Sequence, residues 1–476
     1  MNAKLILHRK ADSQRSCTTM PIQKTLHITN YYHKNSGGIS TSYNNLLAAA
    51  EKNQRQVRLV VPGAEDRVEV VSDFAQIYFV SARYSPIFDN RYRVLMPWQY
   101  MLKNSAVRKI LLDEMPDLIE VTDKYTLSMI GAMIRTNNFK RLGRPILVHF
   151  SCERLDDNVA SFLFGGPVGK WFSKMVMANY LLPSFDFHIA NSAYTASEFT
   201  ESVEKGTSRF GNLCWRFLRG PRFPLAERIF ICPRGVDAEH FTPRRKSQTR
   251  RAEITAKAGI PENCVFLLYA GRLSPEKNVE LLLAMMESLC AQAAPDFRLL
   301  IAGDGPLRSK LAVRGENDLS GRIILLGHLD KEQLADYYAN ADVFVHPNPR
   351  EPFGIAPLEA MASGTPTLAP RSGGILSYAT DDNAWLVEPN GEAFAAAVRE
   401  IISDPVARAR KVSVAIATAQ QNTREHATAR LFETYDEIGE IFNANRDLLT
   451  DTEAAQHYDF AALLKSGFAK SAERGQ

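Results

Sequence analysis

The sequence predicts an α/β protein built from two successive parallel sheets, and three observations carry that expectation. Strand-like and helix-like segments alternate along most of the chain. The alternation lapses across residues 230–245, a stretch rich in proline and charge, and then starts afresh. At 476 residues the chain is long for a single core and suits two domains of ordinary size.

In the first half, KTLHITNYY (24–32) reads as a strand, NSGGIS (35–40) as a glycine loop and STSYNNLLAAAEKN (40–53) as a helix. The strand VRLVVPG (57–63) follows, then strands DLIEVT (117–122), PILVHFS (145–151) and FHIANS (187–192), with helical patterns at 127–138 and from TASEF (195–199). Residues 201–228 fit neither rhythm and read as an insertion. In the second half, strands VFLLYAG, FRLLIAG, RIILLG, DVFVHP, TPTLAP and AWLVEP alternate with helices, the first helix spanning 279–290. Residues 423–443 read as a long terminal helix, and the polar segment after Asp447 as a weakly patterned tail.

Composition excludes several classes. Apolar content of 45% and charged content of 23% are those of an ordinary globular protein, and a net charge of +4 does not by itself imply nucleic acid. No apolar stretch approaches the ~20 residues of a membrane-spanning helix. The first residues, MNAKLILHRK, start basic but hold too short an apolar run for a signal peptide, and Met20 is an alternative start. The six scattered cysteines show no C-x-x-C spacing, so reduced thiols in a cytoplasmic protein are expected, with no metal site. No Ser-His-Asp order, zinc-ligand spacing or Walker lysine appears, and GDGP (303–306) lacks the third glycine of a dinucleotide fingerprint.

The richest segment is HPNPREPFGIAPLE (346–359), which sets Glu351 and Glu359 eight residues apart around a Pro-Phe-Gly turn. A strand leads in and an Ala-rich helix leads out, the junction at which α/β sheets offer backbone N–H groups to ligands. Two carboxylates at a strand's carboxyl end suit hydroxyl-rich ligands such as a sugar and a ribose. In GRLSPEKN (271–278), Arg272 and Lys277 would project near another strand's carboxyl end, where a diphosphate could bridge them. Solvated loop charges are the bland alternative. The Gly37-Gly38 pair lets backbone approach an anion at a helix start, or forms a plain tight turn. His149 near the end of PILVHF is a candidate for a ligand pocket, although a lone histidine after an apolar strand is more often a core residue. Arginines 209, 216, 219, 222 and 228 interleave with Phe210, Trp215, Phe217 and Phe223, which suits either an anionic membrane surface or a solvated loop, and the apolar, basic run at 162–182 could join them.

GGIS, GRLSPEKN, GDGP and the E-x7-E pair, in this order, resemble the retaining glycosyltransferases of family 4, and CPRGVDAEHFTP resembles their α-mannosyltransferase and sulfoquinovosyl- or glucosyl-lipid synthase subgroup. The resemblance spans residues 25–441 and is strongest over 230–389. It implies the GT-B fold: two Rossmann-like domains facing across a cleft, with a C-terminal helix returning to the first. The domains would be an acceptor-binding one at 20–230, a nucleotide-sugar-binding one at 231–420, the helix at 421–445 and a tail at 446–476. The implied catalytic set is Arg272, Lys277, Glu351 and His149, with His149 lining the sugar pocket and the two cations on the donor diphosphate. Gly37, Gly38, Gly271, Phe353, Gly354, Ile355 and Glu359 would bind donor, Glu359 at the ribose and the Phe353 and Gly354 amides at sugar and phosphate.

The resemblance further implies retention without a covalent enzyme intermediate, no cofactor and no metal, the nucleotide-diphosphate sugar (GDP-mannose or UDP-glucose) being a co-substrate. The acceptor would be a glycan or a lipid-linked molecule at the inner face of the plasma membrane. Two departures qualify this: RSGGILSYAT offers Ser377 where many members carry a glutamate, and Arg234-Gly235 stands where Asn-Gly is common. A GT-B phosphorylase, a sugar-nucleotide epimerase and a non-catalytic sugar-nucleotide-binding protein remain as alternatives.

Overall fold

The structure, a computed structural model, describes residues 21–33, 38–85, 92–162, 166–206, 209–291 and 295–451. The chain divides into two compact units, Met1–Cys232 with Thr428–Gln476, and Pro233–Ala427.

The first unit holds strands β1 (Lys24–Ile28), β2 (Gln56–Gly63), β3 (Arg67–Val70), β4 (Ala75–Ser81), β5 (Arg83–Tyr84), β6 (Arg93–Val94), β7 (Leu118–Val121), β8 (Ile146–Ser151), β9 (Phe187–Ala190) and β10 (Ile229–Ile231). Its main sheet runs β10-β9-β8-β7-β1-β2-β4-β3, with β3 antiparallel to β4 and every other pairing parallel. The β3–β4 hairpin and the small β5–β6 ladder have no counterpart in the sequence reading: β3 and β5 are short, exposed and charge-bearing, while β4 carries an apolar run that was passed over. Every residue of β7, β8 and β9 is buried, as expected where helices cover both faces of a parallel sheet.

The long terminal helix, Arg424–Ala444, crosses from the second unit into the first. Its Phe432, Tyr435, Ile438 and Phe442 join a core with Tyr43, Leu46 and Leu47. Tyr435 donates a 2.7 Å hydrogen bond to the buried Glu120, which also meets His27 Nδ1 at 3.0 Å. The expected tail starts later than 446: Arg446–Thr450 is a short helix with Leu449 buried, its carbonyl bonded to Arg135 at 3.0 Å.

Residues 201–228 are not an insertion outside the fold. The helix Ala193–Gly206 follows β9, and Arg209–Phe217 is a second helix whose Trp215 is buried and donates to Ala178 O at 2.8 Å. Arg228 is fully buried and bonds the carbonyls of Asp186, Leu182 and Phe185, while Phe223 is core. Of the aromatic and basic residues that read as a surface from the sequence, Trp215, Phe223 and Arg228 are core, whereas Phe217 is exposed and Arg216, Arg219 and Arg222 are half-buried. The reading failed because nearby proline and glycine masked a helix period of only nine residues.

The second unit holds β11 (Val265–Ala270), β12 (Phe297–Ala302), β13 (Ile323–Gly327), β14 (Val343–Val345), β15 (Thr367–Pro370) and β16 (Trp385–Val387) in one parallel sheet ordered β13-β12-β11-β14-β15-β16. The order reverses direction between β11 and β14, the kind of switch point at which open α/β sheets hold ligands. Helices are closed by local chemistry: Asp330 and Gln333 form a capping box for Lys331–Asn340, and Asn390 caps Gly391–Ser403.

Candidate functional site

Three adjacent strands of the second unit, β11, β14 and β15, end side by side, and their loops build the site. After β11, the segment 271–278 closes in one tight turn at Pro275–Lys277, and Asn278 (φ 54°) redirects the chain. Its side-chain amide donates to Pro347 O at 3.0 Å, tying this loop to the one after β14. GDGP is a brace, as the sequence reading expected of a structural turn: Leu273 N donates to Asp304 O at 3.0 Å, and Leu307 N to Leu273 O at 2.9 Å.

The loop after β14 runs from His346 to Gly354 and enters the helix Ile355–Ala362. Gly354 sits at φ +90°, a left-handed conformation that glycine adopts without strain. The loop after β15 holds this turn from behind. Gly374 N donates to Glu351 O at 2.6 Å, and a Cβ on Gly374 would collide with the Pro352 carbonyl. Tyr378 hydrogen-bonds the Gly354 carbonyl and stacks edge-on with Phe353 at 5.3 Å. The helix N-terminus thus starts on a braced turn, its first N–H groups lacking partners within the helix.

At this edge Lys277 Nζ lies 2.8 Å from Glu351 Oε2, and Asn348 Nδ2 donates to the same oxygen at 3.0 Å. Oε1 of Glu351 accepts no hydrogen bond among the described residues. Burial pushes the Glu351 carboxyl up, but Lys277, His346 and Asn348 outweigh it and hold it down at about 2. Glu359 is the reverse case. Burial raises it to about 7, only partly offset by the 3.0 Å hydrogen bond from Tyr338. The buried Tyr378 phenol is raised by burial and then by both carboxylates.

The structure therefore brings Lys277 and Glu351 into contact and leaves Glu359 on the same loop–helix junction. Arg272 is exposed at the end of β11, beside Gly271. The Phe353 side chain is core, so only its backbone could face a ligand, and Ile355 opens the helix half-buried. Gly38 begins the helix Gly38–Ala49 after β1; Gly37 lies outside the described residues.

His149 is buried rather than open at the strand's end. It lies on the interior face of β8 with no exposed surface, its ring 5.5 Å from Phe185, 5.8 Å from His188 and 6.1 Å from Phe199. Neither ring nitrogen has a partner among the described residues. Burial, then Lys124, pushes its pKa well below the ordinary histidine range. The ring is packed among aromatics, as the core alternative for a histidine after an apolar strand expects.

Sequence reasoning missed Asn348, His346, Tyr338 and Tyr378. Asn348 and His346 stood inside the quoted HPNPRE segment, and only the turn's geometry aims them at Glu351. Tyr338 comes from the preceding helix, with no local signal linking it to Glu359. Among the described residues no group of three or more His, Cys, Asp or Glu side chains is placed to hold a metal ion.

Residues 250–419 match the family described as glycosyl transferases group 1. The chain is 30% identical over 385 residues to a GDP-mannose-dependent α-(1-6)-phosphatidylinositol dimannoside mannosyltransferase of Mycobacterium tuberculosis, covering 80% of this chain and 88% of that one. It is 27% identical over 350 residues to a GDP-mannose-dependent α-mannosyltransferase of Corynebacterium glutamicum, covering 71% and 70%. Sucrose-phosphate synthase from Thermosynechococcus elongatus shares the fold, with a TM-score of 0.67 at 19% identity over 88% of this chain and all of that one.

Proposed function

From the premise that the chain belongs to the group 1 glycosyl transferases, with the GT-B fold, we propose how its site moves a hexose. The protein is a retaining hexosyltransferase that takes a sugar from a nucleotide-diphosphate donor to a glycan or lipid-linked acceptor. The observation that carries the site assignment is the Lys277–Glu351–Asn348 cluster beside the braced N-terminus of Ile355–Ala362. Loss of the nucleoside diphosphate leaves an oxocarbenium-like sugar, so the main task is to stabilise charge on the leaving group. Lys277, Arg272 and the helix N-terminus supply that stabilisation with no metal ion. Glu351, anchored through Oε2, offers Oε1 to a donor-sugar hydroxyl, and Glu359, anchored by Tyr338, offers an oxygen to the ribose. Glu351 is not a nucleophile.

GDP-mannose is the first donor to test, because two mannosyltransferases with that donor in their names align over most of the chain; UDP-glucose is the second. The acceptor class is lipid-linked, and the protein meets the cytoplasmic membrane face peripherally. Support for the membrane contact comes from the helix Gly166–Val176, which runs on into Met177–Leu181, and from Arg209–Phe217, which packs on that same segment. Gly166–Val176 exposes Val168, Trp171 and Phe172 beside Lys170, and Arg209–Phe217 exposes Leu213 and Phe217 (74% exposed) beside Arg216. Apolar side chains flanked by cations suit an anionic lipid surface. No helix among the described residues is long and apolar enough to cross a membrane.

The test is transfer of labelled hexose from GDP-mannose or UDP-glucose to membrane-extracted lipid acceptors. An α-linked product from wild type and none from Glu351→Gln is expected. Hexose 1-phosphate formed with inorganic phosphate, or donor binding with no turnover on any acceptor, would overturn the transferase mechanism. For the surface, Trp171→Ala/Phe217→Ala should lose sedimentation with anionic vesicles; undiminished sedimentation counts against the contact.

A further inference from the structure

Beneath the Lys277–Glu351 pair lies a side chain for which the mechanism above has no use. His346 is the first residue after β14, 5% exposed, and neither ring nitrogen has a hydrogen-bond partner among the described residues. Its backbone is fixed by a 2.8 Å bond from its N–H to Leu368 O, so only the ring is free to turn. Its Nε2 stands 3.7 Å from Glu351 Oε2, just beyond hydrogen-bonding reach, on the oxygen that Lys277 and Asn348 already occupy.

A buried imidazole with two orphaned nitrogens is costly and demands a reason. One follows from the lysine's double duty, and it rests on the reading that Lys277 holds the donor diphosphate. A diphosphate carries more charge than a carboxylate, so a bound donor draws Lys277 away from Glu351. The half-buried carboxylate then keeps only Asn348, at the moment when its other oxygen must be held still for the sugar. We propose that His346 is a positioning residue: its Nε2–H closes onto Glu351 Oε2 as the donor takes Lys277, and keeps the carboxylate in register. Burial, against the pull of Glu351, holds the ring's pKa down at about 4, so it brings a neutral donor rather than a second cation. Glu351 and Lys277 are the charged groups that act on it.

This exchange of partners has a signature that a merely structural histidine lacks. By isothermal titration with GDP-mannose and UDP-glucose, His346→Phe weakens donor binding about tenfold, the worth of one hydrogen bond to a charged group. In a Lys277→Ala background the same substitution adds less than about twofold, because there Glu351 has no lysine to lose. His346→Gln, which keeps an N–H donor, binds within about threefold of wild type. An equal penalty in both backgrounds, or wild-type affinity in His346→Phe, overturns the proposal while leaving the donor site standing. Absence of donor binding by wild type, or wild-type affinity in Lys277→Ala, overturns the donor-site reading and the proposal with it. Should the phenylalanine variant fail to fold, nitrogen-15 NMR of wild-type histidines decides. The His346 Nε2–H signal shifts downfield and exchanges more slowly when donor binds, and an unchanged signal overturns the proposal.

Discussion

Two lysine–glutamate pairs at comparable distances show how burial separates structure from function. In the first unit, Lys124 and Glu198 meet at 2.7 Å with each side chain about 1% exposed. Glu198 also accepts from Asp156 N at 3.0 Å, and Lys124 also bonds the Glu153 carbonyl. In the second unit, Lys277 and Glu351 meet at 2.8 Å with 29% and 14% exposure, on loops at the open ends of strands. The first pair is shut off from solvent. The second can trade its partner for a ligand, because the lysine is within reach of solvent and the glutamate has one oxygen to spare.

The largest effect that tests this contrast is on stability. Glu198→Ala should destabilise the protein by about 3–5 kcal/mol, since an ammonium is left buried and unpaired. Lys277→Ala should cost no more than ~1 kcal/mol, as expected of a partly exposed pair. Denaturant midpoints of the two variants measure both. Equal losses would erase the distinction.

Next comes pH. Glu351, held at about 2, stays ionised throughout the working range, whereas Glu359 titrates near 7. Donor KM should therefore fall up to about tenfold as pH rises through 7, when Glu359 gains its second accepting oxygen, and Glu359→Gln should flatten the profile. The stability contributions have opposite signs. That of Glu351 is lost as pH falls from the ordinary carboxylate range towards 2; that of Glu359 is lost as pH rises from that range through 7. A KM profile that is flat in wild type would contradict the ribose assignment.

The smallest effect belongs to His149. His149→Phe should keep kcat/KM within about threefold, because the ring sits among Phe185, His188 and Phe199. A loss of a hundredfold would return His149 to the site.

The same contrast explains what was legible in the sequence. Residues 271–278 and 346–359 are short loops between a strand and a helix, so spacing alone brings Lys277 and Glu351 to one edge. Apart from β4 and β10, the parallel strands of both sheets announced themselves as apolar runs, and the terminal helix by its length. The surroundings of His149 were not legible because β8 is buried on both faces, and a continuous apolar run carries no period-two mark to say which face a residue takes. Trp215 and Arg228 were misplaced because an aromatic–basic mixture looks alike on a surface and in a core, where Arg228 satisfies three backbone carbonyls. Tyr338 and His346 depend on contacts between segments that no local pattern records.

The central claim is that the exchangeable pair is the donor-diphosphate clamp. Isothermal titration of GDP-mannose and UDP-glucose into wild type and Lys277→Ala tests it most directly. The account predicts micromolar-range binding of one donor to wild type, weakened about a hundredfold or more in the variant while the fold melts at nearly the same temperature. Indistinguishable affinities in the two proteins would contradict it.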